Sequence, residues 1–228
     1  MGKANDSKTR FTSRVDDYIK YRPKYPKEII TFLEMKGILT ENTIIADIGS
    51  GTGFLSGIFL ENGYMIYGVE PNKEMREAGE HYLQQYSNFH SIVGSAEETT
   101  LQDNSVDLIT AGQAYHWFNP NLSKMEFKRI LKDQNSTEYN CVLIWNTRKV
   151  MGSKFGEELE LIIEKFSTDY KEVKHNRPEH EIESNGPPFK RIFFEDLLFQ
   201  RELKSCTMFR PLAFFRQMTH FYVQRVQI

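Results

Sequence analysis

A chain of 228 residues is long enough for one domain with a substantial core, and its 39% hydrophobic and 13% aromatic content argues against disorder. The formal net charge is −2 and Lys and Arg are scattered, so the basic stripe of a nucleic-acid binder is missing and a small molecule is the expected partner. Two distant cysteines, Cys141 and Cys206, exclude a disulfide framework and a cysteine metal cluster, and no metal is expected. They read as ordinary thiols in a reducing cytoplasm. The polar start MGKANDSKTR lacks the apolar region of a secretory signal, and no apolar run approaches the roughly 20 residues of a membrane span. A cytoplasmic protein without membrane contact, monomeric or homodimeric, is expected. The glycosylation patterns at Asn5, Asn121 and Asn135 are read as chance matches.

Along the chain, residues 1–10 read as a tail. From Phe11 to Gly37 a Tyr/Arg/Pro cluster leads into an apolar-periodic stretch around Ile29, Ile30 and Leu33, which predicts a helix. Thr43 to Ile48 predicts a buried strand ending at a glycine-rich turn. A helix follows from Phe54 to Asn62, with Gly63 at its C-terminal end. Tyr64–Val69 predicts a second strand, after which Asn72 can cap a helix to about Tyr86. Further strands are expected at Phe89–Val93, Ser105–Thr110 and Tyr139–Trp145, and helices at Asn121–Leu131 and Gly156–Tyr170. Residues 174–190, rich in charge, Pro and Gly, read as a loop, and Glu195–Leu203 as a strand. The stretch from Phe209 is the least legible, with room for a helix and a last strand at Phe221–Ile228. Alternating strands and helices predict an α/β fold, Rossmann-like and doubly wound, with a mostly parallel sheet and helices on both faces.

The segment Asp47-Ile-Gly-Ser-Gly-Thr-Gly-Phe joins a strand to a helix, and its glycines allow a tight turn and close approach of a ligand. A P-loop needs Gly-Lys-Ser/Thr, but Phe54 and Leu55 follow the last glycine. A dinucleotide site needs Gly-x-Gly-x-x-Gly, which the spacing of Gly49, Gly51 and Gly53 does not supply. Asp47, two residues before Gly49, would repel a pyrophosphate and favour a cationic ligand. S-adenosylmethionine carries an ammonium and a sulfonium and no phosphate, so it fits this loop, with a capped structural turn as the alternative. Glu70 closes the second strand, where a carboxylate can accept two ribose hydroxyls. It can equally be a surface acid before a helix. Gly94-Ser-Ala-Glu97 follows the third strand and could frame an adenine.

Together, Asp47-Ile-Gly-Ser-Gly-Thr-Gly, Val69-Glu-Pro-Asn, Gly94-Ser-Ala-Glu and Ser105-Val-Asp-Leu-Ile resemble the class I S-adenosylmethionine-dependent methyltransferases. The resemblance is greatest to the small-molecule branch typified by ubiquinone-biosynthesis and trans-aconitate methyltransferases, and runs from about Phe11 to Leu131. It implies that Asp47, Gly49, Ser50, Gly51 and Gly53 surround the cofactor and Glu70 its ribose. Pro71, Asn72 and Met75 would line the adenine with Ser95, Ala96 and Glu97. The segment Gln113–Trp117 would lie near the methyl group. Residues 1–40 would form a tail and helical lid, and 41–228 the S-adenosylmethionine-binding domain. The C-terminal third departs from the pattern, because the material after Leu203 is short and the antiparallel hairpin that completes such a sheet is left in question.

Methyl transfer from a sulfonium is an in-line displacement that requires alignment and exclusion of water, and a base only if the acceptor must lose a proton. His116 is the one histidine expected beyond a strand end and is the candidate base, with a structural role as its alternative. Gln113 and Trp117 could instead hold a substrate carboxylate or carbonyl. Tyr18, Tyr21, Arg22 and Tyr25 form a second cluster, able to present aromatic faces and one cation to the acceptor. A non-catalytic S-adenosylmethionine-binding protein and a nicotinamide-dependent oxidoreductase are the competing readings.

Overall fold

The computed structural model describes residues 25–132, 138–148, 193–195, 201–202 and 216–227, and the helical positions 157, 158, 161, 162, 165 and 166. Its frame is α1 (Glu28–Met35), β1 (Ile44–Ile48), α2 (Phe54–Glu61), β2 (Met65–Val69), α3 (Lys73–Leu83), β3 (Phe89–Ile92), β4 (Leu108–Gly112), α4 (Pro120–Ile130) and β5 (Glu138–Arg148). Three further strands follow, β6 (Phe193–Glu195), β7 (Arg201–Glu202) and β8 (Arg216–Gln227). The strand order is β3-β2-β1-β4-β5-β8-β6, with β7 also on β8. The first five strands pair in parallel and the rest antiparallel.

Period-two alternation gives the sheet two apolar faces, which is why the chain winds helices on both. Ile45, Leu108, Val142 and Ile144 point into one core with Ile29, Ile30 and Leu33 of α1 and Phe59 of α2. Their neighbours Ala46, Ile48, Ile109, Ala111 and Leu143 point into the other, against Phe127 and Ile130 of α4. Cys141 sits in that second core, where burial pushes its thiol up to about 12 and leaves it protonated. Asn72 caps α3, its side chain accepting from the Met75 amide, and Gly63 follows α2 with φ +88.

The structure corrects several boundaries. The fourth strand lies at Leu108–Gly112, not Ser105–Thr110, because Ser105 and Val106 bond to the end of α4 and Asp107 N–H first meets Ile44. Asn119, not Asn121, opens α4, its side chain accepting from two amides, with Pro120 in the first turn. β5 extends to Glu138–Arg148 and pairs antiparallel with β8 over eleven residues, so the sheet continues past its parallel half. β8 also begins five residues before the expected Phe221. Of the expected strand Glu195–Leu203, the described residues are Glu195, at the end of β6, and Arg201 and Glu202, which form β7; both strands pair with β8. β8 therefore lies between β5 and β6, and no described helix is long and apolar enough to cross a membrane.

Candidate active site

The order of strands reverses between β1 and β4, and in open α/β sheets the crevice beyond those strand ends receives the ligand. A cleft lies there. Its floor is Asp47 and the loop from Gly49 to Thr52, and Phe54, Leu55, Gly112 and Tyr25 complete its walls.

Gly49, Gly51 and Gly53 all have left-handed backbones, with φ of +69, +56 and +80. A Cβ on Gly49 would stand 2.6 Å from Ala114 Cβ, so the turn after β4 packs directly on the glycine loop. The first three amides of the loop are bound to the protein itself. Gly49 N and Ser50 N both donate to Val69 O at the end of β2, at 2.9 and 3.1 Å, and Gly51 N donates to Glu70 Oε2 at 2.9 Å. A phosphate site requires such amides to aim at the ligand. Three successive amides committed to the protein cannot also serve a pyrophosphate.

Asp47 closes β1 with 1% of its surface exposed. Ser56 Oγ donates to its Oδ2 at 2.6 Å and Thr110 Oγ1 to its Oδ1 at 3.0 Å. Burial pushes the carboxyl up to about 6, and the two hydroxyls and the Ser56 amide oppose that rise. Among the described residues no Lys or Arg pairs with it. Glu70, also buried, receives Asn72 N on Oε1 and Gly51 N on Oε2, both at 2.9 Å. Burial raises its pKa, against the pull of those two amides and Arg76. A carboxylate has about four lone-pair sites, so two remain for a diol. The expected ribose residue is therefore also the brace of the glycine loop.

The residues expected to line an adenine occupy the start of α3 and the turn after β3. Met75 is buried, and its Cε lies 3.3 Å from where a Gly51 Cβ would be. Pro71 is half-buried and Asn72 buried at the start of α3. Ser95 and Glu98 exchange backbone hydrogen bonds around Ala96, which is buried in the second core. Glu97 Oε1 accepts from Asn119 N at 2.7 Å and so ties this turn to α4.

Gln113 follows β4 with φ +58 and donates its N–H to Ile144 O, an uncommon backbone state for a side-chain-bearing residue. A 3-10 turn, Tyr115–Trp117, comes next, in which the His116 and Trp117 rings lie 4.8 Å apart. Neither His116, Gln113 nor Trp117 lines the cleft itself. Tyr25 does, with its hydroxyl over Gly112, whereas Tyr18, Tyr21 and Arg22 lie outside the described residues. Sequence reasoning passed over Ser56 and Thr110. The signal was a lone hydroxyl in each of two apolar runs, Phe-Leu-Ser-Gly-Ile-Phe-Leu and Asp-Leu-Ile-Thr-Ala, since a buried hydroxyl needs a partner.

Residues 46–135 match the family described as "Methyltransferase domain". An uncharacterized methyltransferase of Mycobacterium tuberculosis is 34% identical over 143 residues, covering 63% of this chain and 54% of that protein. An uncharacterized methyltransferase-like protein of Schizosaccharomyces pombe is 33% identical over 149 residues, covering 65% and 55%. The chain thus spans about half the length of the curated relatives it matches. Among solved structures, a Methanococcus maripaludis protein provisionally assigned as an S-adenosyl-L-methionine-dependent methyltransferase superposes with TM-score 0.59 at 17% identity, over 97% of this chain and 96% of its own. The YcgJ protein from Bacillus subtilis superposes with TM-score 0.53 at 18% identity, over 86% and 97%. These two likenesses concern the fold.

Proposed function

We propose that this chain, whose residues 46–135 match a methyltransferase-domain family and whose fold superposes on that of the Methanococcus maripaludis protein, transfers a methyl group from S-adenosylmethionine to a small-molecule acceptor. The observation that carries this reading is the glycine loop: its amides turn inward to Val69 and Glu70 while a buried carboxylate, Asp47, lines the cleft. Such a site rejects a pyrophosphate and offers a counter-charge to an ammonium. Glu70 supports a ribose diol with its remaining lone pairs, and Met75 and Ala96 supply apolar contact for the adenine.

When bound, the cofactor would supply an already activated methyl on a sulfonium, so the chain's own residues have only to align, enclose and, for some acceptors, deprotonate. Tyr25 over Gly112 supports the reading of residues 1–40 as a cover, with Tyr18, Tyr21 and Arg22 proposed to reach the acceptor. Gln113 and Trp117, on the turn that packs against Gly49, are proposed to contact the acceptor from the sheet side. His116 is proposed as the base that takes the acceptor's proton where an O–H or N–H is methylated. One cation among several aromatic groups suits a small, planar or acidic acceptor.

Calorimetry with S-adenosylhomocysteine and with NAD tests the cofactor assignment. Micromolar binding of the first and none of the second is expected, and the reverse pattern would replace the methyltransferase reading by an oxidoreductase. A screen of small carboxylates, phenols and amines with methyl-labelled cofactor then separates an enzyme from a binding protein, which would hold the cofactor and label nothing.

A further inference from the structure

Asp47 is the buried acid of the described cleft, and its ionised form is held by two hydroxyls and the Ser56 amide, with no cation among the described residues. The two hydroxyls come from different elements. Ser56 sits on α2, wholly buried in a turn whose neighbours Leu55, Gly57 and Ile58 are also buried. Thr110 sits in β4 beside Asp47 itself, since the two are register partners across the β1–β4 ladder. Each hydroxyl has one proton, and each gives it to a different oxygen of the same carboxylate. The remaining titratable groups around the site among the described residues are Glu70 at the end of β2, whose charge opposes that of Asp47, and Tyr25 in the cleft wall. Arg76 on α3 is directed at Glu70, not Asp47.

An isolated buried carboxylate drifts toward its neutral form and rotates to suit whichever donor is near. Two hydroxyl donors on opposite oxygens prevent both. We infer that Ser56 and Thr110 are positioning residues that keep the Asp47 carboxylate anionic and fixed in orientation as the receptor for the ammonium end of the bound cofactor. This rests on the methyltransferase reading above. It adds that specificity for the amino-acid end of the ligand is set from behind the cleft, by residues that do not touch the ligand.

The test compares two probes on the full chain: S-adenosylhomocysteine, and 5′-methylthioadenosine, which keeps the nucleoside and thioether but lacks the amino-acid end. Ser56→Ala and Thr110→Val should each weaken S-adenosylhomocysteine binding roughly 10- to 150-fold, the scale of a lost hydrogen bond to a charged group. Binding of 5′-methylthioadenosine should change less than twofold. Thr110→Ser, which restores the hydroxyl, should recover most of the affinity. The pH midpoint for S-adenosylhomocysteine binding, near 6 in the parent, should move upward in the Ala and Val variants. Equal weakening of both probes, unchanged affinity, or an unmoved midpoint would each overturn the inference. A parent protein that binds neither probe would remove the methyltransferase reading itself, and the inference with it. One that binds 5′-methylthioadenosine but not S-adenosylhomocysteine would overturn the inference alone.

Discussion

Asp47 and Glu126 are both nearly buried carboxylates, 1% and 9% exposed, and the protein treats them in opposite ways. Glu126, on α4, is surrounded by donors. Thr99 gives it both its amide and its hydroxyl, and Arg129 reaches both oxygens, at 2.8 and 2.7 Å, while also bonding Asp103. Burial alone would raise its pKa, but Arg129 and Thr99 outweigh that and bring it to about 2. Asp47 has two hydroxyls and the Ser56 amide, no cation among the described residues, and a pKa that burial raises to about 6. The first is a satisfied joint that fastens the turn after β3 to α4. The second retains an uncompensated charge in a cleft, which costs stability and is useful only if a cation arrives.

Three experiments bear on that contrast. The largest effect is expected from Asp47→Asn. Removing the charge should weaken S-adenosylhomocysteine binding by about 2–4 kcal/mol, roughly 30- to 1000-fold, as when one member of a desolvated charge pair is lost. Thermal stability should hold or rise, because an isosteric neutral group replaces an unpaired buried charge. A variant that binds normally, or that unfolds, would make Asp47 a joint like Glu126.

Glu126→Ala should show the reverse pattern. Urea unfolding should reveal a loss of about 2–3 kcal/mol, below the range for fully buried pairs because the Arg129 side chain is 35% exposed. Affinity for 5′-methylthioadenosine should fall only as far as the loosened turn around Ala96 allows. Retained stability would mean that α4 and the turn are held by apolar packing alone.

The smallest effect separates the two acids by pH. Glu126 has a lowered folded pKa, so its contribution is complete above about 4.5 and is lost as the pH falls toward 2. Asp47 has a raised one, so the folded state holds its proton longer than the unfolded chain does. Its unfavourable contribution appears as the pH rises from about 4 to about 6. Stability of Asp47→Asn should therefore be flatter than the parent between pH 4.5 and 6, and that of Glu126→Ala flatter between 2 and 4.5. Cofactor affinity in the parent should drop only about fourfold from pH 7 to 5.5, as Asp47 takes up its proton. No pH dependence of binding in that window would separate Asp47 from the ligand.

The sequence by itself determined the parallel half of the sheet and the loop that crowns it. Short apolar runs alternate there with capped helices, and glycines at Gly49, Gly51 and Gly53 stand where only a left-handed turn can join β1 to α2. Those are local properties of backbone sterics and periodicity, so they can be read without knowing any distant neighbour. What lay far apart in the chain could not be read this way. Whether the last strand exists was decided by β5, whose eleven-residue ladder with β8 gives that segment its hydrogen bonds and its place between β5 and β6. The double duty of Glu70 and the hydroxyls around Asp47 were likewise tertiary decisions. Ser56 and Thr110 come within hydrogen-bond reach of one carboxylate only after α2 packs back on the sheet and β4 pairs with β1. A carboxylate's pKa and purpose follow from those neighbours, because desolvation and donor geometry, and not residue type, set the balance between its charged and neutral forms.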